Sequence, residues 1–195
     1  MRLIVGITGA TGTIYAVRAL ERLREAGVET HLVMSRWGAR TLLHETRYTV
    51  AQVEALASEV HPPNDLGASI ASGSCRADGM IIAPCSMKTL GAVAHGVGDG
   101  LIHRAADVTL KERRRLLLVV REAPLSEIHL SNMLTLARMG SIILPPMPAF
   151  YTHPTSVDDI IDHTVSRILD QFGIDVPGTN RWSGTMAVGH TQAGD

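Results

Sequence analysis

Short apolar runs alternate with segments of helical period along most of the chain. Runs typical of β-strands lie at 2–8, 30–35, 79–84, 116–120 and 141–145, and residues 61–74 are predicted to be loop around a further short strand. The spacing of Ile14, Val17, Leu20 and Leu23 predicts a helix that ends at Gly27. Further helices are predicted at 37–45, 50–58, 86–95, 101–114, 126–139 and 157–172.

This alternation predicts an α/β fold in which one parallel sheet is covered by helices on both faces. The strands are nearly continuous apolar runs, as expected for strands that are buried on both sides. Ligands of such folds bind at the loops that follow the carboxyl ends of the strands. A length of 195 residues fits a single domain, 1–195, in which the Gly- and Thr-rich tail 177–195 is either loose or docked on a neighbouring subunit.

The composition argues against several classes of function. A net charge of −1 disfavours a nucleic-acid-binding surface, and no apolar run approaches the ~20 residues that span a membrane. Only two cysteines occur, and the N-terminus runs directly into a strand rather than a signal peptide, so we expect a cytoplasmic protein. None of the nine histidines forms a pair with an obvious zinc spacing, and no metal site is predicted.

Glycines and hydroxyl groups are concentrated in the first loop, 6–13. Gly9 and Gly12 allow a tight backbone, and the following helix directs free N–H groups at the loop, an arrangement that binds phosphate. The loop is not G-x-G-x-x-G, and Ser35 and Arg36 stand where a ribose-binding acid would follow the second strand. These features favour a mononucleotide such as FMN over NAD. The alternative is an ordinary turn with helix-capping hydroxyls.

Charged residues surround the strand at 116–120. Arg104 and Lys111 are seven residues apart and share a face of the predicted helix, whereas the arginines at 113–115 are predicted to be a solvated stripe. Arg121 and Glu122 end the strand. Cations that face a pocket need an anion, and a carboxylate beside them is a candidate acid or base, so we predict a phosphate-handling enzyme. The alternative is a surface ion pair between Arg121 and Glu122.

Two other loops carry candidate groups. Ser86 can cap a helix and also point into the cleft, whereas Cys85 has no obvious His–acid pair and is predicted to be inert packing. Phe150 and Tyr151 stand together in a Pro-rich loop of a chain with only 4% aromatic residues. They suggest a wall for a flat or apolar ligand, and the alternative is packing within the loop.

Seven motifs occur in an order that resembles the UbiX family of flavin prenyltransferases. The closest likeness is to the branch once called phenylacrylic acid decarboxylase, or described as one component of the hydroxyarylic acid decarboxylases. The motifs are GITGATG, ASGS, PCSMKTL, RAADVTLKERR, REAPLSEIHLSNM, PPMPAFY and the VDD of the last helix. The resemblance covers residues 2 to about 172, with an echo at Arg181 and Trp182.

The resemblance implies a Rossmann-like (flavodoxin-like) three-layer sandwich that assembles as a homododecamer, with FMN at the subunit junctions. It implies transfer of a dimethylallyl group from dimethylallyl monophosphate, sometimes the diphosphate, to N5 and C6 of reduced FMN. The product, prenylated FMN, would serve a UbiD-type decarboxylase of aromatic or α,β-unsaturated acids. The family requires no metal.

The resemblance also implies roles for individual residues. The expected FMN contacts are Gly9, Ala10, Thr11, Ser35, Ser86, Thr89 and Arg104. The expected grip on the prenyl phosphate consists of Lys111, Arg121, Tyr151 and Arg167. Glu122 would protonate the leaving phosphate or move protons during ring closure, and Glu45 would line the same pocket, so that Glu122, Glu45, Lys111 and Tyr151 form the catalytic set. Thr11 replaces the Ser of many members, and Leu66 lies where some members have Trp, which leaves the donor preference open.

Two other functions remain as alternatives. An FMN-dependent decarboxylase of the same fold usually has a histidine on an early helix, and residues 13–26 contain none. A non-catalytic flavin carrier within a hydroxyarylic acid decarboxylase would bind FMN but would have no use for Lys111 and Glu122.

Overall fold

The computed structural model describes residues 1–178, 181, 182 and 184. In this part of the chain a six-stranded, wholly parallel sheet has the order β3-β2-β1-β4-β5-β6. The strands are β1 (Arg2–Ile7), β2 (Glu29–Met34), β3 (Glu59–His61), β4 (Gly79–Cys85), β5 (Arg115–Val120) and β6 (Ile142–Ile143). The helices are α1 (Thr13–Glu25), α2 (Arg36–Glu45), α3 (Val50–Glu54), α4 (Met87–Ala94), α5 (Leu101–Lys111), α6 (Glu127–Arg138) and α7 (Val157–Asp170), with 3-10 turns at Ser69–Ala71 and Phe150–Thr152.

The sheet separates two hydrophobic cores. Alternate residues of β1 point to opposite faces, so that Leu3, Val5 and Ile7 pack against the layer of α1 and α7, whereas Ile4 packs against the layer of α4 and α5. Both faces of the central strands are therefore covered, which explains their continuous apolar sequence. The predicted α/β three-layer sandwich with a parallel sheet is confirmed.

The structure corrects several predicted boundaries. The helix expected at 50–58 ends at Glu54 because the chain must turn into β3, which begins at Glu59 and so precedes the predicted loop. β6 has two residues rather than five, because Pro145 and Pro146 follow it and lack the N–H groups that continue a sheet. No helix among the described residues is long and apolar enough to cross a membrane.

The two edges of the sheet are the reference points for the candidate residues. We call the edge where the strands end, at Ile7, Met34, Cys85 and Val120, the carboxyl edge. The edge where the strands begin is the amino edge. Because six residues of β5 span ~20 Å, groups at the two edges of one chain cannot contact the same small ligand.

Of the tail expected at 177–195, only the residues at 177, 178, 181, 182 and 184 lie within the described part. The guanidinium of Arg181 donates to both carboxylate oxygens of Asp170, at 3.0 and 2.8 Å. This described part of the tail therefore contacts α7 of its own chain, and the rest of the prediction falls outside the described residues.

Candidate functional site

The first loop is held in a shape that only glycine permits. A Cβ atom on Gly9 would lie 2.5 Å from Cβ of Trp37, and Gly12 has a φ of 98°, in the left-handed region. The hydroxyl of Thr8 donates to the carbonyl oxygen of Pro84 at 2.7 Å and accepts from the backbone N–H of Ser86 at 2.8 Å. The loop is thus fixed to the end of β4, beside the start of α4.

Serine hydroxyls cap two helices that begin at the carboxyl edge. Oγ of Ser35 accepts from the backbone N–H of Gly38 at 3.0 Å, and Oγ of Ser86 accepts from the N–H of Thr89 at 3.3 Å. The two hydroxyls of Ser86 and Thr89 also lie 3.1 Å apart. Ser86 therefore caps its helix as predicted, whereas the cap formed by Ser35 was not predicted, and α1 begins after Gly12 without a side-chain cap from the first-loop hydroxyls. These caps do not exclude anion binding, because the N-termini of α1, α2 and α4 bring positive partial charge to this edge.

Glu45, at the end of α2, caps the start of α1. One oxygen of its carboxylate accepts from the backbone N–H of Gly12 at 2.9 Å, and from the N–H and hydroxyl of Thr13 at 3.3 and 3.2 Å. Burial acts to raise the pKa of Glu45, but hydrogen bonds from Thr11, Gly12 and Thr13 outweigh it and lower the pKa below its ordinary value. The side chain is therefore a fixed anion rather than a proton donor at neutral pH.

A cavity of about 370 Å³ joins the first loop to the end of β5. Its lining residues are Thr11, Gly12, Tyr15, Val120, Arg121, Glu122, Pro145, Pro146 and Met147. The backbone N–H of Arg121 donates to the carbonyl oxygen of Cys85 at 3.1 Å, which extends the contact between β5 and β4 to the cavity. The cavity is therefore the place where the loop predicted to bind phosphate meets the predicted acid.

The side chains of Arg121 and Glu122 are available for a ligand. Within the described residues, the guanidinium of Arg121 makes no hydrogen bond or ion pair. Among the described residues, the carboxylate of Glu122 accepts a hydrogen bond only from the backbone N–H of Ala123, at 3.0 Å. The alternative of an ion pair between Arg121 and Glu122 is therefore wrong for this structure.

Arg104 lies on α5, one turn from its start. Nε donates to the carbonyl oxygen of Ala71 at 3.1 Å, and a terminal nitrogen pairs with Asp107 at 2.7 Å. The two small residues that follow it, Ala105 and Ala106, are fully buried, as their size suggested. Arg104 thus connects α5 to the turn Ser69–Ala71, with about two fifths of its side chain exposed.

Lys111 lies at the amino edge, far from Arg121. It ends α5 and pairs with Glu112, in a cleft that is also lined by Met1, Asp78 and Ile142, next to the starts of β1, β4 and β6. A single chain therefore does not bring Lys111 to the cavity. Lys111 and Arg104 lie on the same face of α5 but two turns apart, so the two cations contact different parts of the chain.

Of the arginines at 113–115, which were predicted to be a solvated stripe, Arg113 and Arg115 are exposed, whereas Arg114 is half-buried. Arg114 donates to the carbonyl oxygens of Cys75 and Gly73 at 2.6 and 2.8 Å, and Arg115 donates to the carbonyl oxygen of Gln171. Arg114 and Arg115 thus hold neighbouring segments at the amino edge, because backbone carbonyls without partners attract guanidinium donors.

Arg167 lies on the exposed face of α7, and Tyr151 lies beside that helix in the 3-10 turn Phe150–Thr152. The Tyr151 hydroxyl is 3.4 Å from Nε2 of His163, and its ring meets the ring of Trp182 edge-on at 5.7 Å. Arg167 is four residues after His163 and pairs with Asp170 at 2.9 Å. Neither Tyr151 nor Arg167 lines the cavity that contains Arg121.

Comparisons with known proteins identify the family. The family described as Flavoprotein matches residues 1–169. A probable UbiX-like flavin prenyltransferase of Streptomyces sp. (strain D7) is 62% identical over 188 residues, which are 96% of this chain and 94% of the relative. The crystal structure of a dodecameric FMN-dependent UbiX-like decarboxylase from Escherichia coli O157:H7 has a TM-score of 0.93 and 58% identity, and the match covers 94% of this chain and 100% of that one.

A third match is the crystal structure of AnUbiX (PadA1) in complex with FMN and dimethylallyl pyrophosphate. Its TM-score is 0.94 at 54% identity, and the match covers 95% of this chain and 98% of that chain. The chain belongs to the UbiX-like flavin prenyltransferase family. The resemblance found in the sequence motifs is confirmed, as is the prediction that the protein is an enzyme, a prenyltransferase.

In this UbiX-like flavin prenyltransferase, Cys85 is a core residue and not a nucleophile. The thiol is fully buried, and burial raises its pKa to about 12, so that almost no nucleophilic thiolate exists at neutral pH. The sequence-based rejection of Cys85 as a nucleophile agrees with this geometry.

Two aromatic residues at the site were not predicted. Trp37 lies against Gly9, is 64% exposed, and carries the guanidinium of Arg40 5.0 Å from its ring centroid. Tyr15 lines the cavity. The sequence did offer a signal for Trp37, because it is a tryptophan in a chain poor in aromatic residues and lies two residues after Ser35, a predicted FMN contact.

Proposed function

We propose that this enzyme transfers a dimethylallyl group from dimethylallyl phosphate to N5 and C6 of reduced FMN. The observation that carries the proposal is the cavity in which the unpaired guanidinium of Arg121 and the carboxylate of Glu122 adjoin the first loop. The AnUbiX complex supports the ligand pair, because that relative binds FMN together with dimethylallyl pyrophosphate. A flavin carrier or a decarboxylase would need no such donor, so both alternatives are less favoured.

The carboxyl edge has the properties that FMN requires. Gly9 leaves backbone exposed beside Trp37, where any Cβ would clash, and the helices capped by Ser35 and Ser86 direct N–H groups toward the edge. We assign Gly9, Ala10, Thr11, Ser35, Ser86, Thr89 and Arg104 to FMN binding. Reduced FMN supplies the electron-rich ring that forms the new bonds.

Arg121 and Glu122 are assigned to the donor. Breaking the allylic C–O bond leaves negative charge on the phosphate, and a preplaced guanidinium stabilises this charge more than it stabilises the intact donor. Glu122, in its protonated form, would deliver a proton to a phosphate oxygen, or it would move protons during ring closure. Glu45 instead keeps its charge and fixes the first loop beside them, as its hydrogen bonds to Gly12 and Thr13 support.

The remaining donor residues require a second copy of the chain. Lys111 lies at the amino edge, Tyr151 in the turn Phe150–Thr152 and Arg167 on α7, and none of the three lines the cavity of its own chain. We propose that neighbouring copies bring these groups to one another's cavities in a homo-oligomer, which we expect to be a dodecamer. The Escherichia coli O157:H7 relative is dodecameric.

An exposed apolar surface on α6 and the loop before it supports assembly. Leu125, Ile128, Leu130 and Leu134 are 42–71% exposed. Several large apolar side chains exposed on one segment are typical of a protein interface. Burial of the cavity between copies would also keep water from the reacting allyl group.

The product and its recipient follow from the family. Prenylated FMN would pass to a UbiD-type decarboxylase as the product acceptor. We expect the enzyme to act in the cytoplasm, where the free thiols of Cys75 and Cys85 stay reduced. Nothing in the described residues favours the monophosphate over the diphosphate donor.

The direct test is anaerobic incubation of the enzyme with reduced FMN and dimethylallyl phosphate, followed by mass analysis of the extracted flavin. The expected result is a flavin that is heavier by one prenyl unit, with release of phosphate. A parallel reaction with dimethylallyl pyrophosphate determines the donor. Unchanged flavin with both donors, from protein that binds FMN, would overturn the proposal in favour of a flavin carrier.

A further inference from the structure

Two buried histidines meet on neighbouring strands at the far side of the sheet from β5. His31 lies on β2 and His61 on β3, and Nδ1 of His31 is 2.9 Å from Nε2 of His61. The register pairs Val33 with His61, so the two rings are diagonal neighbours on one face, with centroids 5.1 Å apart. Both residues are almost completely buried.

Glu59 completes a triangle of ligand atoms with the two rings. One oxygen of its carboxylate lies 3.5 Å from Nδ1 of His31, and the other oxygen lies 3.5 Å from Nε2 of His61. A tetrahedral ion with bonds of ~2.0–2.1 Å holds its ligand atoms about 3.3 Å apart. The two ring nitrogens are 2.9 Å apart, and one ligand atom from each of the three residues lies within 4.8 Å of the other two, so small side-chain shifts would place the three atoms on one face of such a tetrahedron.

The surroundings of His31 fit a metal ligand. Its other ring nitrogen, Nε2, lies 3.2 Å from a carboxylate oxygen of Glu29, and the same oxygen is 2.9 Å from Nε of Arg2. A carboxylate that accepts from the distal N–H orients the imidazole and directs the lone pair of Nδ1 toward a metal. Glu59 is about half exposed, which gives an ion a route from solvent and leaves the fourth position to water.

We propose that His31, His61 and Glu59 bind one zinc-like divalent ion that fastens the edge strand β3 to β2. Two imidazoles and a carboxylate suit Zn²⁺, Co²⁺ or Cu²⁺ better than Ca²⁺ or Mg²⁺, which prefer oxygen ligands. The site is separate from the prenyl-transfer cavity, because β1 and β4 lie between β2 and β5.

The proposal departs from the sequence-based expectation of no metal site. That expectation rested on short zinc spacings, whereas these histidines are 30 residues apart and meet only because β2 and β3 pair. The competing explanation is a simple hydrogen bond between the two rings, which needs no metal. Both explanations fit the 2.9 Å separation, and they differ in whether the protein takes up a metal ion.

The test is a Co²⁺ titration of the full-length, chelator-treated protein, followed by its visible absorption bands. We expect saturation at one ion per chain, with the intense bands of a tetrahedral site, and displacement by Zn²⁺. His61→Gln should abolish this binding, whereas the matched control His44→Gln, which changes an exposed histidine on α2, should keep it. Saturable binding that survives in His61→Gln, or its absence from the wild-type protein, would overturn the proposal.

Glu59→Gln and Glu29→Gln test the site even if His61→Gln misfolds, because both glutamate side chains are about half exposed and their substitution should leave the fold intact. Each should keep the melting temperature of the metal-free protein. Glu29→Gln should weaken Co²⁺ binding by about 10–100-fold, the usual effect of losing a group that orients a ligand. Co²⁺ affinities equal to wild type in both variants would show that neither carboxylate contributes, and would overturn the site as proposed.

Discussion

The two edges of the sheet both carry arginines and a cavity, yet opposite ends of the helices face the two cavities. The amino-edge cleft is the larger, about 1120 Å³ against about 370 Å³, and is richer in basic residues. Its Lys111 pairs with Glu112, and Arg114 is bound by two backbone carbonyls. Arg113 and Arg138 of this cleft have no side-chain partner in the described part of the chain, and the same is true of Arg121 at the carboxyl edge.

The comparison shows that neither the volume of a cavity nor the number of basic residues that line it identifies a phosphate site. The amino-edge cleft receives the C-termini of α5 and α6, at Lys111 and Arg138, whose negative partial charge opposes an anion. The carboxyl edge receives the N-termini of α1, α2 and α4, whose positive partial charge attracts one. Under the proposed assembly the edges also cooperate, because Lys111 of one copy would serve the cavity of another.

The largest expected effect is that of Glu122→Gln, at the carboxyl edge, on the chemical step. Glu122→Gln keeps the shape of the side chain but removes the ionisable group, so prenyl transfer should slow by ~10²–10⁴, the usual share of general acid–base catalysis. FMN affinity should not change, because FMN is assigned to other residues. A single-turnover trace of flavin absorbance measures the rate, with Glu54→Gln on α3 as a matched control. Near-wild-type kinetics would leave Glu122 as scaffolding and move the search to Tyr151.

The second prediction tests whether the amino edge of one copy serves the carboxyl edge of another. Lys111→Ala and Arg121→Ala should each reduce donor use about tenfold or more, since a charge-assisted hydrogen bond contributes ~1.5–3 kcal/mol. Co-expression of Lys111→Ala with Glu122→Gln should restore activity in mixed oligomers, because some cavities receive both intact residues.

The control for this complementation is a mixture of Arg121→Ala with Glu122→Gln. These two residues line the same cavity of the same chain, so no mixed oligomer contains an intact site. Equal recovery in both mixtures, judged by the rate of flavin prenylation, would show that Lys111 does not act across a contact between copies.

The fold was predictable because each strand carries its own signal. The runs at 79–84 and 116–120 are apolar on both faces, and the observed strands Gly79–Cys85 and Arg115–Val120 differ from them by a single residue at one end. β3 was harder, since three residues at a sheet edge give too short a pattern for periodicity.

The site was predictable only where chemistry and strand ends coincide. Arg121 and Glu122 directly follow a strong strand, so their position at the carboxyl edge followed from the pattern. The capping role of Glu45 depends on how α2 returns to the first loop, and the partners of Arg114 depend on loop 73–75. Such contacts between distant segments leave no local periodicity, and the sequence alone could not predict them.

A smaller effect is expected when a partnered cation of the amino edge is removed. Arg114→Ala deletes the hydrogen bonds to the carbonyls of Gly73 and Cys75, which should lower the free energy of unfolding by about 1–3 kcal/mol. Prenyl transfer per folded molecule should not change. Denaturant unfolding gives the first quantity and the flavin assay the second. A variant as stable as the wild type but slow in prenyl transfer would place Arg114 in the donor site.

The smallest expected effect concerns the carboxylate that caps α1. Because hydrogen bonds from Thr11, Gly12 and Thr13 lower the pKa of Glu45 in the folded state, its contribution to stability is fully present above the unfolded pKa, near 4.5. This contribution is lost as the pH falls through the lower, folded pKa. Glu45→Gln should therefore destabilise the protein at neutral pH by roughly 0.5–1 kcal/mol, the low end for a helix cap at an exposed position.

Urea unfolding at neutral pH and at a pH below the folded pKa of Glu45 measures the difference in unfolding free energy between variant and wild type, which should shrink in acid. A difference that stays constant with pH would show that Glu45 acts through its shape rather than its charge. A loss of prenyl transfer much larger than this loss of stability would instead restore Glu45 as a direct participant in the chemistry.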